Sequence, residues 1–570
     1  MIAKGTSFVR VQNSLPANRQ LVHAKILLPL ILFFAFAIRL WGIDYGLPYR
    51  YHVDEQAYIP HAARLCGGEL DLPAYSFGPN LYLITLCAVD AVTYATGLVM
   101  GVWYTPLQFR SAYEADPTVL YVANRAVSAF TGTATVWLIY LLGRRLAGRQ
   151  VGLTAAAFLA VAFLHVRDSH YAVPDVYATF WIVLTAYAAD HVYQKNTLKG
   201  WIFAGMAAGI AAGVKFTALT AITMPITAFI LHISDDRRAQ HNIRIIHVVS
   251  RLALICVSFG AGFIIGYPNV LEFTVNSEKL LADLTYQLNF MQEVLYKIEA
   301  HALPAPLFYF WSLSWALGLP LAIIGLIGVG YTIYKCGYRS MIFLVFVASY
   351  YLLISTATWY TAHYALPLIP FLCLFAAVFV VDRIRQVNLS RYRLWVSWLL
   401  PLLILLPSLM SVVKSNHLLT TTDTRTLAKG WIESNIPEGA QIGRSVYASW
   451  VPSLSTREEL APQSTQTYEV AISGYDLSEY TLDHYRQAGV EYLVTSSFVT
   501  ELAWRDQNRE VQKQQWYESL AARAILLQEF RPTTRTQDVP FIHDEVYGAA
   551  ISLWQRDRPG PTIKIYRISP

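Results

Sequence analysis

Long apolar segments separated by short loops rich in arginine and lysine run through most of this chain, and that alternation makes lipid its main solvent. Apolar stretches recur at 118–142, 150–166, 173–193, 200–214, 216–234, 252–271, 302–334, 340–381 and 394–413. Of the 570 residues 55% are hydrophobic and only 14% charged, against about 25% charged in ordinary soluble domains. About twenty apolar residues suffice to span the hydrocarbon. The run from Ser340 to Val381 is far longer, so it has to reverse, and Thr358-Trp359-Tyr360-Thr361 supplies an aromatic turn.

The loop cations set the orientation, because short loops rich in Lys and Arg stay in the cytoplasm. That places Arg144-Arg145-Arg149, Lys195-Lys199, Arg237-Arg238-Arg244, Lys335-Arg339 and Arg383-Arg385-Arg391-Arg393 inside. Together they require about eleven crossings, with the amino end cytoplasmic and everything after Val413 outside, as in a plasma (inner) membrane protein. Lys4, Arg10, Arg19 and Lys25 precede an apolar run from Ile26 to Ile38 that continues through Leu40-Trp41-Gly42-Ile43. Although Ala35-Phe36-Ala37 mimics a cleavage site, the length favours an uncleaved anchor. Leu81 to Met100 is apolar enough to cross, but a crossing there would put Arg144 and Arg145 outside. Asp90 at its centre would be costly in hydrocarbon, so this segment is expected to lie at the outer interface or enter partway.

The formal net charge of +6 is spread over loops, which gives no nucleic-acid signature. Cysteines at 66, 87, 256, 336 and 373 form no CxxC pair; they signal neither a zinc ribbon nor a disulfide framework and read as small packing residues. Gly205, Gly209 and Gly213 share one helical face, which lets two backbones approach closely.

Near residue 416 the composition becomes that of a soluble domain. Asp423 precedes a helix ending near Asn435, Pro437-Glu438-Gly439 turns into a strand at 441–446, and 482–488 and 491–495 read as helix and strand. The terminal stretch 561–568 alternates like a last strand. The fold class is therefore a multi-pass α-helical membrane protein, residues 1–415, with a C-terminal extracytoplasmic α/β domain, residues 416–570.

Chemistry-bearing residues gather at the outer ends of the spans. The first outer loop reads Tyr51-His52-Val53-Asp54-Glu55-Gln56-Ala57-Tyr58. Alone, two loop acids are most simply solvated or cap a following helix. The second outer turn, His165-Val166-Arg167-Asp168-Ser169-His170-Tyr171-Ala172-Val173-Pro174-Asp175, adds more ionisable groups at the mouth of two helices, where such residues are functional candidates. Asp175 also suits a helix N-terminus. Lys215, in Gly213-Val214-Lys215-Phe216-Thr217, either neutralises a lipid phosphate or snorkels to water.

In these segments the chain resembles the GT-C glycosyltransferases, and within them glycosyltransferase family 39 and its relatives, the protein O-mannosyltransferases and lipid A aminoarabinose transferases. The resemblance is carried by Arg39-Leu40, Asp54-Glu55, the segment after Phe77-Gly78-Pro79, Arg125-Ala126-Val127-Ser128, Ser169 to Asp175, Gly213 to Ala218 and His363-Tyr364-Ala365-Leu366-Pro367-Leu368-Ile369-Pro370. It covers most of residues 26–413. It implies outer interfacial helices, a polyprenyl-phosphate sugar as donor, an acceptor hydroxyl on a protein, lipid or polysaccharide, and Asp54 as base with Glu55 beside it. Inverting transfer is a single displacement at the anomeric carbon and needs one base, whereas retention needs a second carboxylate about 5 Å away across the sugar.

The leaving group is a phosphate anion, so positive charge is needed where it departs. Arg64, Arg167, Lys215 and His363 are the outer-side candidates, and His170 and Asp175 complete the substrate-binding set. Two positions depart from the family: Gly78 stands where aminoarabinose transferases place a lysine, and His363 where many relatives carry arginine. Both leave open which cation holds the phosphate. A divalent cation could be held by Asp54, Glu55 and Asp175 with His170, although their spacing matches no compact metal motif. The competing function is a transporter or flippase of lipid-linked sugars, which would carry internal repeats and interrupted helices near the midplane. No convincing repeat is present.

Overall fold

The computed structural model describes residues 17–69, 80–240, 244–274, 285, 303–386, 393–445, 448–456, 461–473, 476–501, 507–537 and 539–568. Phe77-Gly78-Pro79 lies outside the described residues. The first helix, α1 (Ala17–Leu40), ends on a wholly buried Arg39. Its guanidinium donates to Ala35 O at 2.8 Å and Ala160 O at 3.1 Å and lies 3.0 Å from His165 Nδ1. One cation thus ties three stretches of chain by satisfying carbonyls that water cannot reach.

Three helices follow: α2 (Glu55–Cys66), α3 (Leu81–Val99) and α4 (Pro106–Ala115). Asn80 and Thr105 cap the last two, and Pro106 occupies a first-turn position where its missing N–H costs nothing. Next comes α5 (Thr118–Ala147), succeeded by α6 (Arg149–Ala160), α7 (Phe163–Asp168) and α8 (Pro174–Lys195). Though α3 is long and apolar enough to cross, its contacts hold it near one end of the bundle. Asp90, at its middle, accepts from Asn124 Nδ2 at 2.7 Å, and Thr85 Oγ1 lies 3.1 Å from the Tyr177 hydroxyl. Tyr113 of α4 and Tyr121 of α5 share the Arg50 guanidinium, 5.4 and 5.9 Å from their rings. Asn124 and Tyr121 lie in the opening turns of α5 and Tyr177 in the first turn of α8, so α3 and α4 gather around one face.

One correction concerns the cysteines. Cys66 and Cys87 form a disulfide between α2 and α3, with Cα atoms 5.4 Å apart, while Cys256, Cys336 and Cys373 are free. The pair is 21 residues apart in sequence and has no motif; the packing of α2 on α3 alone brings it together.

The bundle continues through α9 (Leu198–Val214), α10 (Thr223–Arg238), α11 (Ile245–Gly266), α12 (Ala305–Ala316), α13 (Leu319–Cys336), α14 (Met341–Ser355), α15 (Ile369–Gln386) and α16 (Arg393–Leu419). Seven segments among the described residues are long and apolar enough to cross a bilayer, and Ile26–Leu40 and Leu198–Val214 are shorter apolar helices. The reversal at residues 356–361 falls where the aromatic turn was expected, between α14 and the nearly fully buried α15. Helices α9 and α11 meet along the glycine face: a Cβ on Gly209 would lie 2.0 Å from Phe259 O.

The basic loops collect at one face. Asp190 takes Arg339 at 2.7 and 2.9 Å and Arg145 at 3.5 Å, Lys335 pairs with Asp382 at 2.7 Å, and Arg385 bonds Gln150 at 3.1 Å. Asp54, Arg167, Asp175, Lys215 and His363 belong to the other.

Beyond α16, which runs on past the composition break at residue 416, a helix at Thr424–Asn435 is capped by Asp423. A five-stranded sheet follows, of order β2-β1-β3-β5-β4, built from β1 (Gln441–Ser445), β2 (Glu469–Ser473), β3 (Tyr492–Ser496), β4 (Ala524–Phe530) and β5 (Ile563–Ile568). β1 runs parallel to β2 and β3, while β5 lies antiparallel between β3 and β4. The first loop is clamped beneath this region. Tyr45 donates to Asp423 at 3.0 Å, and the Arg425 guanidinium lies 4.0 Å from the Tyr51 ring centre.

Candidate active site

Asp54 and Glu55 open α2 and point to different fates. Glu55 is wholly buried. Its two oxygens take Arg125 Nε at 2.8 Å and Nη2 at 2.7 Å, and Oε1 also accepts the Ala172 N–H at 2.7 Å. Arg125 spends its remaining amine on Ile43 O and Tyr45 O at 2.7 and 2.8 Å. Burial alone would raise the Glu55 carboxyl, but the guanidinium outweighs it and holds the group below the usual range. Glu55, which the resemblance set beside the base among the catalytic residues, has both oxygens committed as a bidentate strut joining α2, α5 and the stretch before α8.

Asp54 is only half-buried, and although it holds the N-cap position of α2 its side chain makes no cap bond. The carboxylate is therefore not spent on the helix. Burial, and then the neighbouring Asp175 carboxylate, push its pKa up to about 7; Lys215 opposes them, and Asp168 and Glu55 add to the rise. A base titrating near neutrality is well matched to proton abstraction at working pH.

Around Asp54 the fold assembles charge from α7, α8 and the end of α9, and imidazoles from a loop and a turn. Lys215, which ends α9, meets Asp175 Oδ1 at 2.5 Å in the first turn of α8 and lies 5.1 Å from the centre of the Tyr364 ring. Arg167, 2% exposed, bonds Asp168 through Nε at 2.7 Å, while its Nη1 and Nη2 have no hydrogen-bond partner among the described residues. His363 sits in a 3-10 turn at Ala362–Leu368, its Nδ1 2.9 Å from Thr361 Oγ1. His52 stacks on Tyr171 with ring centres 4.0 Å apart, and burial lowers its pKa to about 4, so it is neutral.

Two further expected binding residues fall elsewhere. Arg64 lies at the far end of α2, about 13 Å along the axis from Glu55 at 1.5 Å per residue, and there pairs with Glu69 at 2.7 Å on the surface. His170 turns both ring nitrogens to backbone carbonyls, Val166 O at 2.9 Å and Trp41 O at 3.1 Å, and so pins α7 to the end of α1. Neither faces the Asp54 site. The three carboxylates considered as metal ligands also part company, since Glu55 is committed to Arg125 and Asp175 to Lys215. Among the described residues no three His, Cys, Asp or Glu side chains gather as a metal site.

An apolar cavity of about 480 Å³ runs between α12, α13 and α14 from Ile333 and Met341 to Ala365, two residues beyond His363, and is lined by Tyr309, Leu313, Leu344, Ala348 and Leu368 among others. Sequence reasoning also missed a contribution from the C-terminal region. Asp544 accepts the Ala362 N–H at 2.8 Å, and the Tyr547 ring lies 4.9 Å from His363. Burial raises the Asp544 carboxyl to about 7 against the pull of Arg167. The only signal in the sequence was a short run of polar and aromatic residues, His543 to Tyr547, with no motif to place it.

A helical membrane bundle with three helices gathered at one face after its first span, an acidic loop over that face and a small sheet region on it is the architecture of the GT-C fold, and this chain has that fold. Within it, residues 120–260 match the family model described as dolichyl-phosphate-mannose-protein mannosyltransferase. A search of the curated proteins found no match. Among solved structures, the Archaeoglobus fulgidus oligosaccharyltransferase in its apo form is 11% identical with a TM-score of 0.51, covering 93% of this chain and 77% of that one. ArnT from Cupriavidus metallidurans bound to undecaprenyl phosphate is 11% identical with a TM-score of 0.46, covering 97% and 99%. The S. cerevisiae protein O-mannosyltransferase complex bound to the sugar donor is 23% identical over 43% of this chain and 33% of that one, with a TM-score of 0.34.

Proposed function

We propose that this chain is an inverting glycosyltransferase that moves a monosaccharide from a polyprenyl-phosphate carrier to an acceptor hydroxyl, with Asp54 as the base. The observation that carries the reading is an uncapped aspartate with a pKa near 7 beside the Asp175–Lys215 pair, on the face where an apolar cavity reaches the turn that carries His363. The match to a mannosyltransferase family that uses a dolichyl-phosphate donor supports the same chemistry.

In the proposed step the acceptor oxygen attacks the anomeric carbon while Asp54 takes its proton. The bond from that carbon to the phosphate oxygen breaks, and its electron pair leaves on the lipid phosphate. Lys215 has two ammonium donors beyond the one spent on Asp175, and Arg167 has two nitrogens without a hydrogen-bond partner among the described residues; both supply positive charge to the departing phosphate. The cavity at the His363 turn accommodates part of the polyprenyl tail. The face rich in arginine and lysine is placed in the cytoplasm of a plasma membrane protein, with the site and the C-terminal region outside.

Asp54→Asn tests this reading. Donor turnover in detergent is expected to fall at least about a thousandfold, within the range for removal of a base, while the thermal midpoint does not drop. Normal turnover in that variant would exclude Asp54 as the base.

A further inference from the structure

The turn His543–Gly548 belongs to the C-terminal region yet packs against the Asp54 loop. Asp544 holds it to the Ala362 N–H, one residue before His363. A Cβ on Gly548 would lie 3.3 Å from both Arg167 Cδ and the Tyr171 hydroxyl, so the backbone itself closes on the site. Val546 and Tyr547 pack in one apolar cluster with Val53, the residue before Asp54, and with Trp359. Between the turn and Tyr45, His52, Arg167 and Tyr171 remains a space of only about 30 Å³, room for about one water.

The turn is braced from behind. Glu545, 2% exposed, accepts the Ala550 and Ser552 N–H groups at 3.2 and 3.0 Å and Arg556 Nη2 at 3.2 Å. That network fixes the backbone from which Tyr547 projects. Tyr547 is half-buried, with its ring 4.9 Å from His363, 5.6 Å from His543 and 6.1 Å from His52. Burial and then Asp54, the first of its charged neighbours, push its phenol well above the usual range, so the hydroxyl keeps its proton. A protonated phenol both donates and accepts a hydrogen bond.

We propose that Tyr547 positions the acceptor hydroxyl against Asp54, which makes the C-terminal region a working part of the active site. The proposal rests on the reading of Asp54 as the base. The Tyr547 hydroxyl donates to a lone pair of the acceptor oxygen, and that oxygen's own proton is thereby turned toward Asp54, which removes it as the new bond forms.

The test separates transfer to the acceptor from transfer to water, which is too small to need positioning. Full-length wild type, Tyr547→Phe and Asp54→Asn proteins are supplied to membranes from cells lacking this chain, whose own lipid-phosphate sugars serve as donor. Mass spectrometry then follows sugar gained by the acceptor fraction and sugar released free. Tyr547→Phe is expected to cut transfer at least tenfold and leave release to water within about twofold, with an unchanged thermal midpoint. Equal loss of both activities, or full transfer, overturns the proposal. Transfer by Asp54→Asn overturns the reading beneath it, and does so in a variant that retains Tyr547.

Discussion

Glu55 and Arg125 form a bidentate, wholly buried ion pair across 70 residues of sequence, next to an aspartate left without a cap bond. Adjacent carboxylates thus carry opposite duties. Glu55→Ala would strand the Arg125 charge in a dry interior, a loss of about 3–5 kcal/mol. The expected outcome is a lower thermal midpoint and poor recovery of folded protein, with Glu55→Gln intermediate. A Glu55→Ala protein as stable as wild type would remove the strut role.

The pH dependence follows from Asp54. Its folded pKa of about 7 stands above the value near 4 of a free aspartate, so the folded protein holds an extra proton between those limits. Turnover is expected to fall about tenfold per pH unit below 7 and level off above it. Stability contributed by that proton is present at low pH and lost as the pH rises through 7. Asp54→Asn should therefore melt at or above the wild-type midpoint at pH 8, as measured by thermal unfolding in detergent.

Lys215→Met removes the cation that opposes the upward shift of Asp54. The midpoint of the pH–rate profile should move to higher pH. Donor KM should rise about tenfold or more, the scale of one lost charged hydrogen bond. Initial rates over donor concentration at several pH values measure both.

Arg64→Ala supplies the contrast. Its partner Glu69 is exposed, and so is Arg64 itself; surface pairs of this kind contribute about 0–1 kcal/mol. Turnover within twofold of wild type and a midpoint shift under about 2 °C are expected. A tenfold loss of turnover would return Arg64 to the site.

The sequence by itself determined the elements that depend on local chemistry. Apolar run length and loop cations set the bundle and sorted its two faces, and the capping Asp423, the Pro437-Glu438-Gly439 turn and the alternation at 561–568 set much of the C-terminal secondary structure. Arg167, Asp175 and Lys215 were legible as ionisable residues at span ends, which are costly unless used, whereas Asp54 and His363 were singled out by the family resemblance. Tertiary structure alone decided which of the candidates meet. It spent Glu55 on Arg125 and His170 on two carbonyls, left Arg64 on the surface, joined Cys66 to Cys87, and packed Tyr547 with Val53, the residue before Asp54. The pairings of Glu55 with Arg125, His170 with Trp41 and Cys66 with Cys87 span tens to hundreds of residues, and no local preference encodes a partner that only packing brings within reach.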